Sequence, residues 1–175
     1  PIIEQSEEFQ GDQTMRIWQV GHDPDFGDVF SISAHVKQRD NTKGYILSKS
    51  EAADTDDRCF GFFMSSFICP GNKMARCVKL GLAYGSRAGN AQVVSITGQP
   101  KEAVWSLNDH TPQPWLHVAV SSNGTHAWFQ VEKRLLGPPV AFDQPQLVCP
   151  GGVMYAGMRS PQSEFFTGSI KQLHM

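Results

Sequence analysis

The chain has 175 residues, a formal net charge of −2 at pH 7, 18% charged residues, 16 glycines and 11 prolines. This length suits one domain with its own core, residues 1–175. No run approaches the ~20 apolar residues of a membrane helix, so we expect no membrane insertion. The slightly negative charge argues against nucleic acid as the main partner. The chain begins at Pro1 without a leader-like segment, so we expect a piece of a larger protein with neighbouring domains.

Helical periodicity is almost absent, and short runs of alternating apolar and polar residues follow one another along the chain. In 28–39, for example, apolar side chains from Phe30 to Val36 alternate with polar ones from Ser31 to Lys37. Predicted strands occupy 14–20, 28–39, 44–50, 58–67, 77–85, 91–98, both arms of a hairpin within 114–134, 144–152, 153–159 and 164–175. Short strands spaced about ten residues apart predict an all-β, two-sheet antiparallel sandwich.

The hairpin is predicted to turn at Asn123-Gly124, because this pair favours a two-residue type I′ turn in which both residues have positive φ. In that register Ser122 faces Thr125, and one face of the hairpin is an apolar core face. The opposite face mixes aromatic and polar groups, namely Trp115, His117, Ala119, His126, Trp128, Gln130 and Glu132. That mixed face is a candidate ligand surface.

Three side chains of the mixed face are candidate ligand-binding residues, His117, His126 and Trp128. Trp128 either stacks on a sugar or anchors a protein partner, or the segment 135–145 covers it. In the predicted register His117 faces Gln130 and His126 faces Ser121, so a shared metal site is not expected. The two histidines are better explained as polar members of a half-exposed sheet face.

The cysteines are Cys59, Cys69, Cys77 and Cys149, and their spacing lacks the paired knuckles of a zinc site. An even count in a β-rich chain predicts two disulfides with three possible connectivities. We expect Cys69–Cys77, which closes "CPGNKMARC", and Cys59–Cys149; the alternative is four buried free thiols. Asn123 also begins an N-glycosylation sequon at the hairpin tip. Together these features predict an extracellular protein.

The order of these segments resembles a known family. "FSISAHVK" followed by "GYILSKS" resembles the opening of concanavalin-like jelly rolls, and "FGFFMSSF" resembles the next strand. "LNDHTPQPWLHVAVS" with its hairpin is similar to the laminin G-like signature, and "GGVMYAGMRSPQSEFFTGSIKQLHM" to that family's ending. The likeness covers residues 8–175 and extends to thrombospondin N-terminal-like and pentraxin-like modules. Leu116 interrupts the family's Trp-His pair, and the cysteine pattern differs from the family's single bridge.

The resemblance implies a non-catalytic module of an extracellular or adhesion-receptor protein that binds a protein or a glycan, in some cases with calcium. Candidate calcium ligands are Asp54, Asp56, Asp57 and Asp109, because Ca²⁺ prefers loop carboxylates; the alternative is solvated acidic turns. Lys73 and Arg76 are candidate ligand-binding cations near the predicted Cys69–Cys77 loop, and the alternative is scattered solubility charges.

Catalysis is not predicted. The glycoside hydrolases of this jelly roll need two carboxylates across the scissile bond, and the family's Glu-x-Asp-x-x-Glu strand is missing here. No Gly-x-Ser-x-Gly nucleophile elbow occurs either. The remaining alternative to a recognition module is a structural spacer in a multidomain ectodomain.

Overall fold

Strands make up most of the part of the chain that the structure describes. The computed structural model describes residues 5, 7–10, 15–18, 28–39, 43–50, 58–71, 76–86, 91–98, 115–143, 145–146, 153–157 and 164–175. The strands are β1 (Glu7–Gln10), β2 (Met15–Trp18), β3 (Val29–Gln38), β4 (Gly44–Ser50), β5 (Arg58–Ile68), β6 (Arg76–Ser86), β7 (Ala91–Gly98), β8 (Leu116–Asn123), β9 (His126–Val131), β10 (Arg134–Leu135), β11 (Val140–Ala141), β12 (Pro145–Gln146), β13 (Val153–Ala156) and β14 (Thr167–His174). Within those ranges no helix is long and apolar enough to cross a membrane.

The strands form two seven-stranded antiparallel sheets. The first sheet has the order β1-β14-β3-β8-β9-β10, with β11 also paired to β9. The second sheet has the order β12-β6-β5-β4-β13-β2, with β7 also paired to β6. Half of the strand pairs join strands that are distant in sequence. For example, β14, the last strand, lies between β1 and β3. The predicted all-β, two-sheet antiparallel sandwich is therefore confirmed.

One hydrophobic core lies between the sheets, because alternate residues of each strand point inward. In β3 the inward side chains Ile32, Ala34 and Val36 are fully buried. They belong to the same core cluster as Leu80 and Leu82 from the second sheet. Full burial of each valine, leucine or isoleucine side chain stabilises the fold by about 1.5–3 kcal/mol.

Two aromatic rings on the outer face of the second sheet are buried against the sheet itself. Tyr45 and Phe63 are paired across β4 and β5, and both point away from the core. They are nonetheless 0% and 2% exposed. A Cβ atom at Gly61 would lie 2.3 Å from the Tyr45 ring, and one at Gly81 would lie 2.1 Å from the Phe63 ring. The glycines thus leave room for both rings to lie flat on the sheet.

The predicted strands agree with the observed ones along most of the chain. Segment 44–50 coincides with β4, and 28–39 and 91–98 match β3 and β7 within a residue at each end. Within 144–152 only β12 is observed among the described residues, and β1 precedes the first predicted strand.

A disulfide joins Cys69 and Cys77, whose Cα atoms are 5.0 Å apart. It connects the end of β5 to the start of β6, and both cysteines are buried. This bridge is confirmed. The Cys59 side chain and Cys149 lie outside the described residues, so their pairing stays a prediction.

The hairpin of β8 and β9 has the predicted faces but a different register. Ser122 was predicted to face Thr125, whereas it lies opposite Ala127. Gly124 has a φ of +87°, and Asn123 is not among the residues with positive φ, so the predicted type I′ turn is wrong. Because the register moves by two positions and side chains alternate with period two, each face keeps its residues.

Side-chain oxygens explain the longer connection. Ser122 Oγ accepts a hydrogen bond from the Gly124 N–H at 3.0 Å. Asn123 Oδ1 accepts from the N–H groups of Thr125 and His126, at 3.0 and 2.9 Å. These bonds satisfy backbone donors across the connection, as Asx and Ser turns do, and so compete with the tighter turn.

Candidate functional site

The candidate site is the outer face of the first sheet, which carries the polar and aromatic residues of the hairpin. Two groups of side chains lie on it. We call the first the histidine row; it runs across β14, β3, β8 and the residue after β9 and comprises Lys171, His35, His117 and Glu132. We call the second the Trp128 patch; it comprises Ser121, His126, Trp128, Gln130 and Leu135.

The centre of the histidine row is a cross-strand pair of imidazoles. His35 and His117 are directly opposite each other in β3 and β8. Their ring centroids are 4.9 Å apart and the rings are inclined at 60°. The Nδ1 atom of each ring is buried, and among the described residues neither has a hydrogen-bond partner. The two rings therefore pack on each other as neutral groups, with no acceptor between them.

The register shift brings Glu132, rather than Gln130, opposite His117. The Glu132 N–H donates to the His117 carbonyl at 2.9 Å, and Glu132 Oε1 accepts from the His117 N–H at 2.7 Å. The predicted pairs His117–Gln130 and His126–Ser121 are wrong, because Gln130 lies opposite Ala119 and Trp128 lies opposite Ser121. The histidine row thus ends at the Glu132 carboxylate, which is hydrogen-bonded to the backbone of His117.

A β-bulge in β14 supplies the other end of the row. Lys171 pairs with His35, and the register then shifts at Gln172, whose φ is +48°. Ile170 and Leu173 both point into the core, so two consecutive residues between them are left outside. The Lys171 ammonium lies 4.2 Å from the centre of the Trp115 ring, a cation–π contact. One surface of Trp115 is therefore already occupied.

The environment of the row disfavours protonation. Burial lowers the pKa of His35 below its ordinary value of 6.5, and the charges of His117 and Lys171 lower it further. Burial also lowers the pKa of His117, an effect that Glu132 opposes. Both imidazoles are therefore neutral at physiological pH.

The Trp128 patch is more open. Trp128 is half-buried, and its ring lies 6.2 Å from that of His126 at 45°. Leu135 pairs with Gln130 on the same face and is 55% exposed. Leu136 instead packs against the core. Segment 135–145 therefore does not bury Trp128 completely. An aromatic ring beside amide, imidazole and hydroxyl groups offers both a stacking surface and hydrogen bonds.

The structure brings together some predicted site residues and separates others. His117, His126 and Trp128 share the outer face of the first sheet, whereas Arg76 begins β6 in the second sheet. Asn123 is exposed at the hairpin tip. Lys73 and the predicted calcium ligands Asp54, Asp56, Asp57 and Asp109 lie outside the described residues. Within the described ranges, no three His, Cys, Asp or Glu side chains form a group that could hold a metal ion.

Two residues of the histidine row were not predicted from the sequence. His35 was assigned to the polar face of its strand, but its partner strand was unknown. Lys171 occurs in "GSIKQLHM", where two polar residues in succession break the alternation. That break was the signal of the bulge.

The sequence matches no family model and no curated protein. Among solved structures it is similar to the CBM40 of the Ruminococcus gnavus IT-sialidase bound to alpha2,3 sialyllactose, with 13% identity over 84% of this chain and 75% of that one, and a TM-score of 0.56. It is similar to domains LG4-5 of the mouse laminin alpha1 chain, with 13% identity over 98% of this chain and 40% of that one, and a TM-score of 0.56. The receptor binding domain of botulinum neurotoxin D gives 10% identity over 96% and 38%, and a TM-score of 0.51.

These likenesses define the fold. The chain has a jelly-roll β-sandwich fold similar to that of the laminin LG domains, as the sequence resemblance predicted. At such low identity the neighbours carry no residue-level assignment to this chain.

Proposed function

We propose that this chain is a non-catalytic extracellular recognition module. It binds a protein or a glycan through the outer face of its first sheet, and this binding mediates cell adhesion or contacts with the matrix or a receptor. Two of its structural neighbours are named with what they bind, the CBM40 bound to alpha2,3 sialyllactose and the receptor binding domain of botulinum neurotoxin D, and a third is the pair of laminin domains LG4-5. The disulfide between Cys69 and Cys77 supports an oxidising, extracellular setting.

The observation that carries this proposal is the contrast between the aromatic rings on the two outer faces. On the second sheet the outward rings of Tyr45 and Phe63 are buried. On the first sheet Trp128 and Gln130 stay partly accessible, and Leu135 is largely exposed. Accessible aromatic and apolar groups among hydrogen-bonding ones are the composition of binding surfaces.

Carboxylate placement supports a non-catalytic role. Of the described residues on this face, Glu8 and Glu132 are the two with carboxylates, and Glu8 is bound by Arg39. Glu8 belongs to β1 and Glu132 follows β9, with β14, β3 and β8 between them. At about 4.8 Å per strand they are roughly 20 Å apart. Glycosidic bond cleavage needs a separation of about 5–10 Å.

The test is a binding screen followed by substitution of Trp128. The domain would be applied to a glycan array that includes sialylated lactose and to an arrayed set of cell-surface ectodomains, and each hit would be measured with Trp128→Ala. We expect affinity to fall by about thirtyfold, since a central aromatic anchor contributes ~2 kcal/mol or more. Trp128→Phe, which keeps an aromatic ring, should retain most of the binding.

Val93→Ala is the matched control, because Val93 is 51% exposed on the outer face of the second sheet. It should change affinity less than twofold. Equal affinity of Trp128→Ala and the parent domain would place the site elsewhere. Failure to bind anything on either array would favour the structural spacer.

A further inference from the structure

We propose that the histidine row makes this recognition face pH-sensitive: its two imidazoles are neutral and packed together at neutral pH, and their charging in acid weakens the fold and releases a bound partner. The inference rests on the proposed function for its second half. Its first half concerns the free protein and is tested without a ligand.

The first step is the contact between the rings. His35 and His117 lie in β3 and β8, neighbouring strands in the interior of the sheet, so strand pairing holds their backbones in register. At a centroid separation of 4.9 Å, two charged imidazoles would repel each other. Because each Nδ1 is buried without a partner among the described residues, a proton placed there would have no acceptor. The pair therefore resists protonation for two geometric reasons.

The second step is the charge that surrounds the pair. On β14, Lys171 lies beside His35, and His174 lies opposite Ser33, one pleat repeat along the face. Lys37 points outward on β3 itself, and Lys133 follows Glu132 in the turn after β9. Three of these groups, Lys171, Lys37 and Lys133, are cations, and His174 is a further imidazole on the same face.

Few negative groups compensate. On β1, Glu8 is held by Arg39. Glu132 is the carboxylate nearest the pair, and one of its oxygens already accepts the His117 N–H. Among the described residues, no second free carboxylate faces the rings, so a second proton on the pair would be poorly neutralised.

The sign of the effect follows. In the unfolded chain both imidazoles titrate near 6.5, and in the folded chain their pKa values are lower. The unfolded chain therefore takes up protons first as the pH falls. The contribution of the neutral pair to stability is complete above 6.5 and is lost as the pH drops through 6.5 toward the folded-state pKa values.

Binding is linked to the same protons. Glu132 lies two pleat repeats, about 14 Å, along β9 from Trp128, and Gln130 lies between them. A partner that covers the Trp128 patch and extends to the row would desolvate the imidazoles further, and so would favour their neutral forms. By reciprocity, protons must weaken its binding. The face would therefore bind its partner more tightly at pH 7.5 than at pH 5.5.

The ligand-free experiment compares the parent domain with the double variant His35→Gln/His117→Gln. Thermal melts at pH 7.5 and 5.5 should show a larger acid-induced fall in Tm for the parent, by about 3 °C or more. The control His126→Gln removes another histidine of the first sheet, away from the row, and should behave as the parent does. An equal fall in all three proteins would overturn the proposal.

Imidazole NMR titration of the parent domain keeps the test decisive if the double variant does not fold. His35 and His117 should titrate below 6.5, and each should respond to the other's protonation. Titration of either ring at or above 6.5 would contradict a pair held neutral by its surroundings.

The binding experiment uses a partner found in the screen described above. We expect affinity to fall at least fivefold between pH 7.5 and pH 5.5 in the parent, and less than twofold in the double variant. An unchanged pH dependence in the double variant would assign the effect to other groups. If the screen yields no partner, the proposed function fails, while the melts and the NMR titration still decide whether the pair is a pH-sensitive element.

Discussion

Gly61 and Gly81 show how single residues close one face of the sandwich. A side chain at Gly61 would overlap the Tyr45 ring, and a side chain at Gly81 would overlap the Phe63 ring. With no Cβ at these positions, the rings can lie against the backbone and bury themselves on an outward face. The glycines thus help to explain why the second sheet does not offer its aromatic residues to a partner.

We expect Gly81→Ala to destabilise the domain by about 1–3 kcal/mol, because the new methyl group would overlap the buried Phe63 ring. Urea unfolding measures the change. In a Phe63→Leu background the same substitution should cost clearly less, since the ring that blocks the methyl group is gone. Ser95→Ala, opposite Gly81 in β7, is the control and should be nearly neutral. Equal costs in both backgrounds would contradict the steric explanation.

At the scale of elements, the type I′ turn of this sheet occurs one connection later than predicted. Val131 pairs with Arg134, which leaves Glu132 and Lys133 as a two-residue turn between β9 and β10. Both have positive φ, +50° and +63°, the signature of type I′, although neither is a glycine. Each non-glycine residue in this region stores about 1 kcal/mol or more of strain.

Lys133→Gly should therefore stabilise the domain by ~0.5–1 kcal/mol, the relief of strain exceeding the added entropy of the unfolded chain. Lys133→Ala removes the same charge without the conformational freedom and should give no gain. Both are measured by urea unfolding against the parent. A glycine variant no more stable than the alanine variant would show that the turn is not strained.

For the hairpin of β8 and β9, the sequence predicted the two faces but not the register. Its faces were predicted correctly, because alternation has a period of two and survives a shift of two residues. Its register was predicted wrongly, because the side chains of Ser122 and Asn123 accept backbone hydrogen bonds. The preference of Asn-Gly for a type I′ turn does not take these bonds into account. Local chemistry beyond the two turn residues decided the pairing.

At the scale of the whole molecule, the order of the strands within each sheet could not be predicted from the sequence. The neighbouring strands β3 and β8 are not joined by a turn, so no local sequence pattern predicts that His35 lies opposite His117. The laminin G-like resemblance predicted the fold and the two sheets, yet it assigned no partner to His35. The outward residues His126, Trp128 and Gln130 could be predicted from one hairpin, whereas the histidine row needed three strands from distant parts of the chain.

Calcium binding stays a prediction that concerns the molecule as a whole, because its candidate ligands lie outside the described residues. Calcium bound to a native-state site would raise the free energy of unfolding by about 2.7 kcal/mol at a hundredfold excess over Kd. The Tm in calcium would therefore be higher than the Tm in EDTA. Asp54→Asn/Asp56→Asn should abolish the increase if the acidic turn supplies the ligands. An unchanged Tm at millimolar calcium would exclude a native-state site and leave a metal-free module.

The carboxamide of Asn123 has one oxygen and one nitrogen, and the oxygen is fully engaged. Oδ1 accepts from the Thr125 and His126 N–H groups and from the Thr125 hydroxyl at 2.9 Å. An N-linked sugar would be attached to the nitrogen, and because the amide is planar, the sugar would leave the hairpin in a fixed direction. Asn123→Gln would therefore alter the loop as well as the sequon. Thr125→Val removes the sequon and keeps both backbone bonds, so it separates the effect of a sugar from the effect of the loop's shape.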